Sequence, residues 1–339
     1  MIQLQEKIYS ALEQGICPDG FYENLTSVEQ KWWNDFNLIN FIPANDWEEI
    51  HLQSHGHNYI KDSKNIRKAN FEIEDSTFLK KAFQYQVLKN NLEWNYLKPF
   101  CSFTTIIAGQ KVRLSLIHES CHSKNICKGF IRNLSKREFL IEDFIDSPLL
   151  NLFTSIVNDK KNALIVGPTG CGKTSLLTST LNMINTHEHL IILEDTKEID
   201  CNVKNQTSLI SSSEKGKELK DLVTYAMRMS PERIVLGEIR SKEVISFLLA
   251  INSGHRGCWS TLHANSAPDA IDRLALLFSI FSETNIDLNT IKKLVCNAID
   301  YIIYIENKKI QSINKIISFH DDLIYEKYDL EFTSLVSYN

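Results

Sequence analysis

Ala163-Leu164-Ile165-Val166-Gly167-Pro168-Thr169-Gly170-Cys171-Gly172-Lys173-Thr174 is the stretch that decides how this chain folds. Four apolar residues in a row predict a strand buried on both faces. The next eight fit G-x-x-x-x-G-K-[ST] and lead into a predicted helix at about 172–184. Glycines let such a loop fold tightly, so that successive backbone N–H groups point inward at phosphate oxygens. The N-terminus of the following helix adds its positive end. Lys173 is placed to bridge β- and γ-phosphates and the Thr174 hydroxyl to hold Mg²⁺. The candidate nucleotide-binding set is Gly167, Pro168, Thr169, Gly170, Cys171, Gly172, Lys173, Thr174 and Ser175. The competing reading, a glycine-rich turn with an exposed lysine, does not account for the strand before the loop and the helix after it. Cys171 lies beside Lys173 and a helix N-terminus, which predicts a lowered thiol pKa and a reactive sulfur.

The same rhythm continues downstream. Leu190-Ile191-Ile192-Leu193, Ile234-Val235-Leu236 and Cys258-Trp259-Ser260-Thr261-Leu262 read as further buried strands. Helical stretches at about 216–229, 241–253 and 267–281 separate them, which predicts a parallel sheet with helical crossovers. Tyr301 to Ile305, Ile313 to Ile317 and Ile324 to Leu330 read as a terminal meander. Upstream the pattern differs. Residues 1–35 read as helical, 77–96 likewise, and short strands are expected at 48–52, 112–117 and 128–132, a small α+β domain. The boundary is expected near 145, dividing the chain into 1–145 and 146–339.

Composition sets outer limits. The chain has 339 residues, 43% hydrophobic and 23% charged, which fits a two-domain globular protein and not a disordered one. Its net charge of −5 argues against nucleic acid as a direct partner. No apolar run reaches the roughly 18–20 residues of a spanning helix, and Met1 to Gly15 lacks a signal-peptide layout, so a cytosolic location is expected. Eight cysteines occur without any C-x-x-C pair, which fits reduced thiols better than a disulfide framework. Cys121-His122 with Cys127 is the nearest approach to a metal-ligand spacing, and it is a poor one.

Carboxylates follow two of the predicted strands. Glu238 ends Ile234-Val235-Leu236-Gly237-Glu238, where a magnesium-holding acid belongs, and Glu194, Asp195 and Glu198 follow the earlier strand. Ligands gather beyond the carboxyl ends of open parallel sheets, so these acids are expected to converge on the phosphate loop. A solvated turn is the alternative for Glu194 and Glu198. His255 and His263 flank the last parallel strand eight residues apart, too far for a compact metal pair. His263 and Asn265 at a strand end can hydrogen-bond a γ-phosphate; a structural histidine is the alternative.

Together the phosphate loop, Glu194-Asp195-Thr196-Lys197-Glu198, the run from Arg228 to Arg240, and Gly254 to Ser266 (GHRGCWSTLHANS) resemble the type II/type IV secretion ATPase family, in motif order over about 160–275. The Met229-Ser230-Pro231 and His263-Ala264-Asn265 segments are most similar to its VirB-type secretion and Tad-pilus branch. The resemblance implies a RecA-like P-loop domain, α/β in class, behind a smaller α+β, PAS-like N-terminal domain. It implies an ATP hydrolase using ATP and Mg²⁺, assembled as a homohexamer. Such a ring would be cytoplasmic, peripheral on the inner membrane, and docked on the platform or coupling proteins of a secretion, conjugation or pilus machine. By the same resemblance Glu198 activates water, Glu238 is the Walker B acid, Thr174, Glu238 and Glu194 surround Mg²⁺, and His263 is the second histidine of a His box. Arg113 and Arg132, in segments similar to the family's finger-bearing strands, are expected as arginine fingers; solvated arginines on an open sheet are the alternative. Ser241-Lys242 departs from the family's small, glycine-rich pair and is expected to tune surface contacts. A nucleotide-gated scaffold subunit and a DNA translocase remain as other function classes, the first disfavoured by the full set of acids and the second by the charge.

Overall fold

In a computed structural model the described residues are 1–18, 24–44, 47–62, 65–134, 139–212, 216–282, 286–319, 323–329 and 333–338. Residues 19–23 of the expected N-terminal helix and Leu330 of the expected meander lie outside them. The chain divides into two compact units, Met1–Lys136 and Arg137–Asn339. Phe144 and Ile145, at the boundary expected from sequence, belong to the core of the second unit.

The first unit contains α1 (Ile2–Glu13), α2 (Ser27–Phe36), β1 (Glu49–Gln53), β2 (Tyr59–Lys61), β3 (Ile66–Lys68), α3 (Ser76–Lys89), β4 (Phe100–Ile107), β5 (Gln110–Ile117) and β6 (Lys128–Asn133). The N-terminal helical region is two helices. The second starts at a capping box in which Thr26 and Glu29 satisfy each other's backbone N–H groups. The strands form an antiparallel sheet in the order β3-β2-β1-β6-β5-β4. Val112, Leu114 and Leu116 alternate inward from β5 onto Leu79 and Phe83 of α3 and onto Phe36 of α2, so one face of the sheet is covered by helices.

The second unit contains α4 (Ser147–Asn158), β7 (Ala163–Val166), α5 (Lys173–Leu181), β8 (Leu190–Glu194), β9 (Gln206–Ile210), α6 (Leu219–Ala226), β10 (Arg233–Leu236), α7 (Glu243–Asn252), β11 (Trp259–Leu262), α8 (Ala267–Phe281), α9 (Leu288–Ala298), β12 (Tyr301–Glu306), β13 (Lys309–Phe319), β14 (Leu323–Tyr328) and β15 (Thr333–Tyr338). Its sheet runs β15-β14-β13-β12-β7-β11-β10-β8-β9, parallel from β12 to β9 and antiparallel from β12 to β15. Successive residues of β7 enter different cores: Leu164 and Val166 join Val223, Phe247, Ile271 and Ile291 of α6 to α9, while Ala163 and Ile165 join Phe153 of α4 and Leu177 of α5. Burial on both faces is why these strands read as unbroken apolar runs. β12 is thus more than the first strand of a meander: it pairs in parallel with β7 and completes the core sheet. Among the described residues no helix is long and apolar enough to cross a membrane.

Candidate functional site

The loop from Gly167 to Gly172 leaves β7 between β11 and β12 and enters α5. Its glycines are dictated by space and by backbone angle. A Cβ on Gly167 would stand 2.1 Å from the Ile305 carbonyl oxygen, and Gly172, the N-cap of α5, has φ +100°. Side chains are disfavoured at both positions. Lys173 is only 7% exposed. Its Nζ donates to the carbonyls of Gly167 and Pro168, both at 2.8 Å, and lies 3.0 Å from His263 Nδ1. Burial lowers the lysine's pKa from its ordinary value. Thr174 and Ser175 are half-buried; Pro168, Thr169 and Gly170 are exposed.

A polar chain runs from that lysine across the carboxyl ends of β11 and β10. His263 Nε2 is 3.1 Å from Glu238 Oε1, at ion-pair distance but without hydrogen-bond alignment. Glu238 Oε2 accepts from Arg240 Nη2 at 2.6 Å. Burial, and then the Lys173 charge, lower the His263 pKa. A neutral imidazole whose Nδ1 accepts from Lys173 carries its proton on Nε2, facing Glu238. For Glu238, burial opposes ionisation, but the Arg240 hydrogen bond and charge outweigh it and hold the carboxyl below its ordinary value. Thr261 Oγ1 donates to the Gly237 carbonyl at 2.8 Å and pins the turn that presents Glu238.

Glu194, 4% exposed at the end of β8, packs its Cγ 3.2 Å from the Cβ position of Gly237. One carboxylate oxygen accepts from the backbone N–H groups of Glu198 and Ile199, at 2.9 and 2.8 Å. The Glu194–Glu198 segment is therefore a carboxylate-capped turn, with Glu198 half-buried on it. Burial raises the Glu194 pKa despite those two bonds.

Lys173, His263, Glu238 and Glu194 are brought together in the second unit. Arg113 and Arg132 belong to the first unit, where they are direct cross-strand neighbours on β5 and β6, half-buried and exposed respectively. His255 lies at the amino end of β11, where Nδ1 is 3.0 Å from the Ala250 carbonyl at the end of α7; it is a structural histidine. The expected reactive thiol is corrected: Cys171 is 5% exposed, and burial raises its pKa more than Lys173 lowers it. Arg240 and Arg256 are the arginines that the second unit's motifs offer in sequence, and the structure pairs Arg240 with Glu238, two residues before it. Ser241 and Lys242 line a separate cleft of about 350 Å³ with Asp195, Ser211, Glu218 and Arg240.

Among the described residues no group of three or more His, Cys, Asp or Glu side chains is arranged to hold a metal by itself. Magnesium in phosphate sites is held by one or two side chains plus substrate oxygens and water, so a complete protein cage is not required. Glu194 Oε2 and Glu238 Oε1 are buried acceptors without a hydrogen-bond partner, at the carboxyl ends of β8 and β10, beyond β11 from the loop-bearing β7. Orphaned anionic oxygens at that position fit a hydrated divalent cation.

A family model described as "Type II/IV secretion system protein" matches residues 128–303, just over half of the chain. The chain is 32% identical over 184 residues to the conjugal transfer protein TrbB of Rhizobium radiobacter, covering 52% of this chain and 55% of that one. It is 32% identical over 206 residues to the type IV secretion system protein VirB11 of Bartonella henselae, covering 59% and 54%. It thus spans about half the length of these curated relatives. Among solved structures, the pilus retraction motor PilT with bound ADP matches at a TM-score of 0.59 and 19% identity, over 91% of this chain and 84% of that chain. The ATPase DotB of Yersinia pseudotuberculosis matches at 0.59 and 15%, over 90% and 80%. At these identities the two structures establish a shared fold.

Proposed function

The chain belongs to the type II/IV secretion system protein family, and from that premise we propose that it is an ATP-hydrolysing motor subunit. The observation that carries the proposal is Lys173. A buried ammonium is held over its own loop's carbonyls and hydrogen-bonded to His263, with Glu238 and Glu194 beyond it. Such a group is poised to exchange those partners for phosphate oxygens.

Bound Mg²⁺–ATP supplies the phosphoryl group, with the metal offsetting its charge. Lys173 and the N–H groups from Gly170 to Ser175 bind the β- and γ-phosphates. The Thr174 hydroxyl and Glu238 would hold the metal, and Glu194 would accept a hydrogen bond from its water through the second carboxylate oxygen. Glu238, kept ionised by Arg240, is suited to holding charge and poorly suited to taking a proton. Glu198, on the turn beside it, is therefore the proposed base for the attacking water. His263 donates from Nε2 toward Glu238 and reports release of the lysine through Nδ1. Arg113 and Arg132 are proposed as fingers acting on the transition-state charge; their exposed or half-exposed place in the first unit's sheet supports a role outside its core.

The machine is proposed to be a homohexamer, cytoplasmic and peripheral on the inner membrane, working on a secretion, conjugation or pilus apparatus. The relatives in type IV secretion and conjugal transfer, and the structural neighbour in pilus retraction, support that range. One experiment tests the catalytic proposal: ATP affinity and turnover in Lys173→Ala beside Arg113→Ala/Arg132→Ala. Lys173→Ala should weaken binding and lower turnover by at least about 10²–10³-fold. The double arginine variant should keep its affinity and lose turnover. Wild-type turnover in Lys173→Ala would remove the site, and an unaffected double variant would remove the fingers. Wild type that binds ATP without turnover would point to a scaffold subunit.

A further inference from the structure

The phosphate cradle accounts for one end of a nucleotide, and the other end needs a surface. β7 lies between β11 and β12. Lys173, His263 and Glu238, the groups that would meet the terminal phosphate, all face the flank formed by β11 and β10. A nucleoside has to leave the cradle over the opposite flank, where β12 turns into β13.

That flank is built from two segments far apart in sequence. The turn Asn307-Lys308, with φ of 51° and 60°, leans on the phosphate loop. Lys308 N donates to the Cys171 carbonyl at 3.0 Å. Lys308 Cγ and Phe144 Cε1 lie 3.4 and 3.5 Å from the Cβ position of Gly172. Phe139 completes the wall. Its carbonyl accepts from Ser179 Oγ at 2.6 Å, and the same hydroxyl lies 3.0 Å from the Ser175 carbonyl. Ser179 lies in the second half of α5 on the same face as Ser175, so the Phe139 backbone is fixed to the flank of the helix that Lys173 opens. The Phe139 ring rests on Phe144 at 5.4 Å between centroids, and the Lys308 ammonium stands 5.5 Å from its centroid. Phe139 is half-buried and Lys308 exposed.

A ring pinned through its backbone and braced by a second aromatic is preorganised for stacking. A ring face that attracts an ammonium from solvent is a reachable, electron-rich face. We propose that Phe139 is the base platform of the nucleotide site: the base of a nucleoside triphosphate stacks on the ring face now covered by Lys308, and the ammonium moves to the ribose–phosphate edge. This rests on the phosphate site proposed above and extends it to the nucleoside. Stacking on a phenyl ring carries no hydrogen-bond code, so the platform accepts adenine and guanine alike.

The test is equilibrium binding of ATP, GTP and inorganic tripolyphosphate, each with magnesium, to the full chain. Phe139→Ala should weaken ATP and GTP by about 5–150-fold and leave tripolyphosphate unchanged. Phe139→Trp should keep ATP affinity, and emission from the introduced indole, taken as the difference from wild type with its five tryptophans, should be quenched by ATP and GTP but not by tripolyphosphate. If Phe139→Ala fails to fold, the indole readout alone decides. A Phe139→Ala variant that weakens all three probes equally, or none, or an indole that ignores ATP, overturns the platform and leaves the phosphate site standing. Wild type that binds tripolyphosphate no better than it binds sulfate overturns the phosphate site, and the platform with it.

Discussion

At the amino ends of β8 and β10, Arg233 and Glu188 close on each other; at the carboxyl ends of the same two strands, Glu194 and Glu238 each keep an oxygen unmet. Arg233, 2% exposed, makes a two-pronged contact with Glu188, Nε to Oε2 at 2.6 Å and Nη2 to Oε1 at 3.3 Å. Lys160 joins from the approach to β7, 3.2 Å from Glu188 and 3.3 Å from Glu232, so two cations meet two anions. Among the described residues of that cluster, Arg233 Nη1 is the buried side-chain atom without a hydrogen-bond partner. The carboxyl-end site holds a buried lysine against an imidazole, a Glu238 carboxylate that gives one oxygen to Arg240 and keeps the other beside His263 without a hydrogen bond, and a Glu194 oxygen with no hydrogen-bond partner. Leaving a buried polar group unmet costs about 1–3 kcal/mol. The closed cluster holds the sheet together. The open one is where the phosphate and cation of the proposed reaction would supply the remaining partners from solution.

If that contrast is right, damage at the two ends should separate function from stability. The largest effect is expected at the open end. Glu198→Gln should slow hydrolysis about 10²–10⁴-fold while ATP still binds, because the amide cannot take the proton of the attacking water. Stability should move far less than turnover does, since the backbone N–H of Glu198, which the substitution keeps, bonds Glu194 in the turn. Single-turnover hydrolysis beside equilibrium binding checks this. Normal hydrolysis in Glu198→Gln, with a dead Glu238→Gln, would transfer the base role to Glu238.

The closed end should respond the other way. Arg233→Ala removes a buried side chain and leaves the half-buried Glu188 with Lys160 as its cation, and should destabilise the chain by about 2–3 kcal/mol. Denaturant unfolding with an unchanged slope would report it, and the folded fraction should bind ATP as wild type does. A loss under about 1 kcal/mol would mean that the amino-end cluster is not what holds β8 to β10.

The open end was more legible in sequence than the closed one, for a physical reason. A phosphate loop is local: glycines, lysine and threonine must follow one another, so Gly167 to Thr174 announces itself, as do the acids that terminate β8 and β10. Pairings across long separations leave no such trace. The parallel match of Tyr301–Tyr304 with Ala163–Val166 joins residues well over a hundred positions apart, and β12 therefore read only as part of a meander. β9, Gln-Thr-Ser-Leu-Ile at a sheet edge, lacks the apolar run of its neighbours and carries no strand signal in sequence. Cys171 shows the limit from another side. Sequence displays the lysine and helix end that lower a thiol's pKa, while the burial that outweighs them exists only once Ile305 and Gly167 have closed around it.

The smallest effect, and the one that asks most directly whether the closed cluster acts by charge, is a pH dependence. Burial opposes ionisation of Glu188, but its hydrogen bonds and charge interactions with Arg233 and Lys160 outweigh that and hold its pKa below 4.5. A carboxyl depressed in the fold contributes stability that is present above the unfolded value and lost as pH falls through the folded one. Glu194 has the opposite sign. Burial holds its pKa above 4.5, so its ionisation costs stability near neutral pH, and acid relieves that cost. Acid stability of the wild type alone therefore mixes the two ends. The difference between wild type and Arg233→Ala isolates one of them, because Glu194 is common to both chains. That difference should be flat from about pH 7 down to the mid-fours and then narrow as Glu188 protonates, since Arg233 stabilises only the ionised partner. Unfolding free energies of the two chains at about pH 7 and about pH 3.5 are enough to see it. A gap that stays constant into acid would mean that Arg233 works at the amino ends through packing, and the distinction between a charge-matched end and a charge-seeking end would then rest on the phosphate-loop side alone.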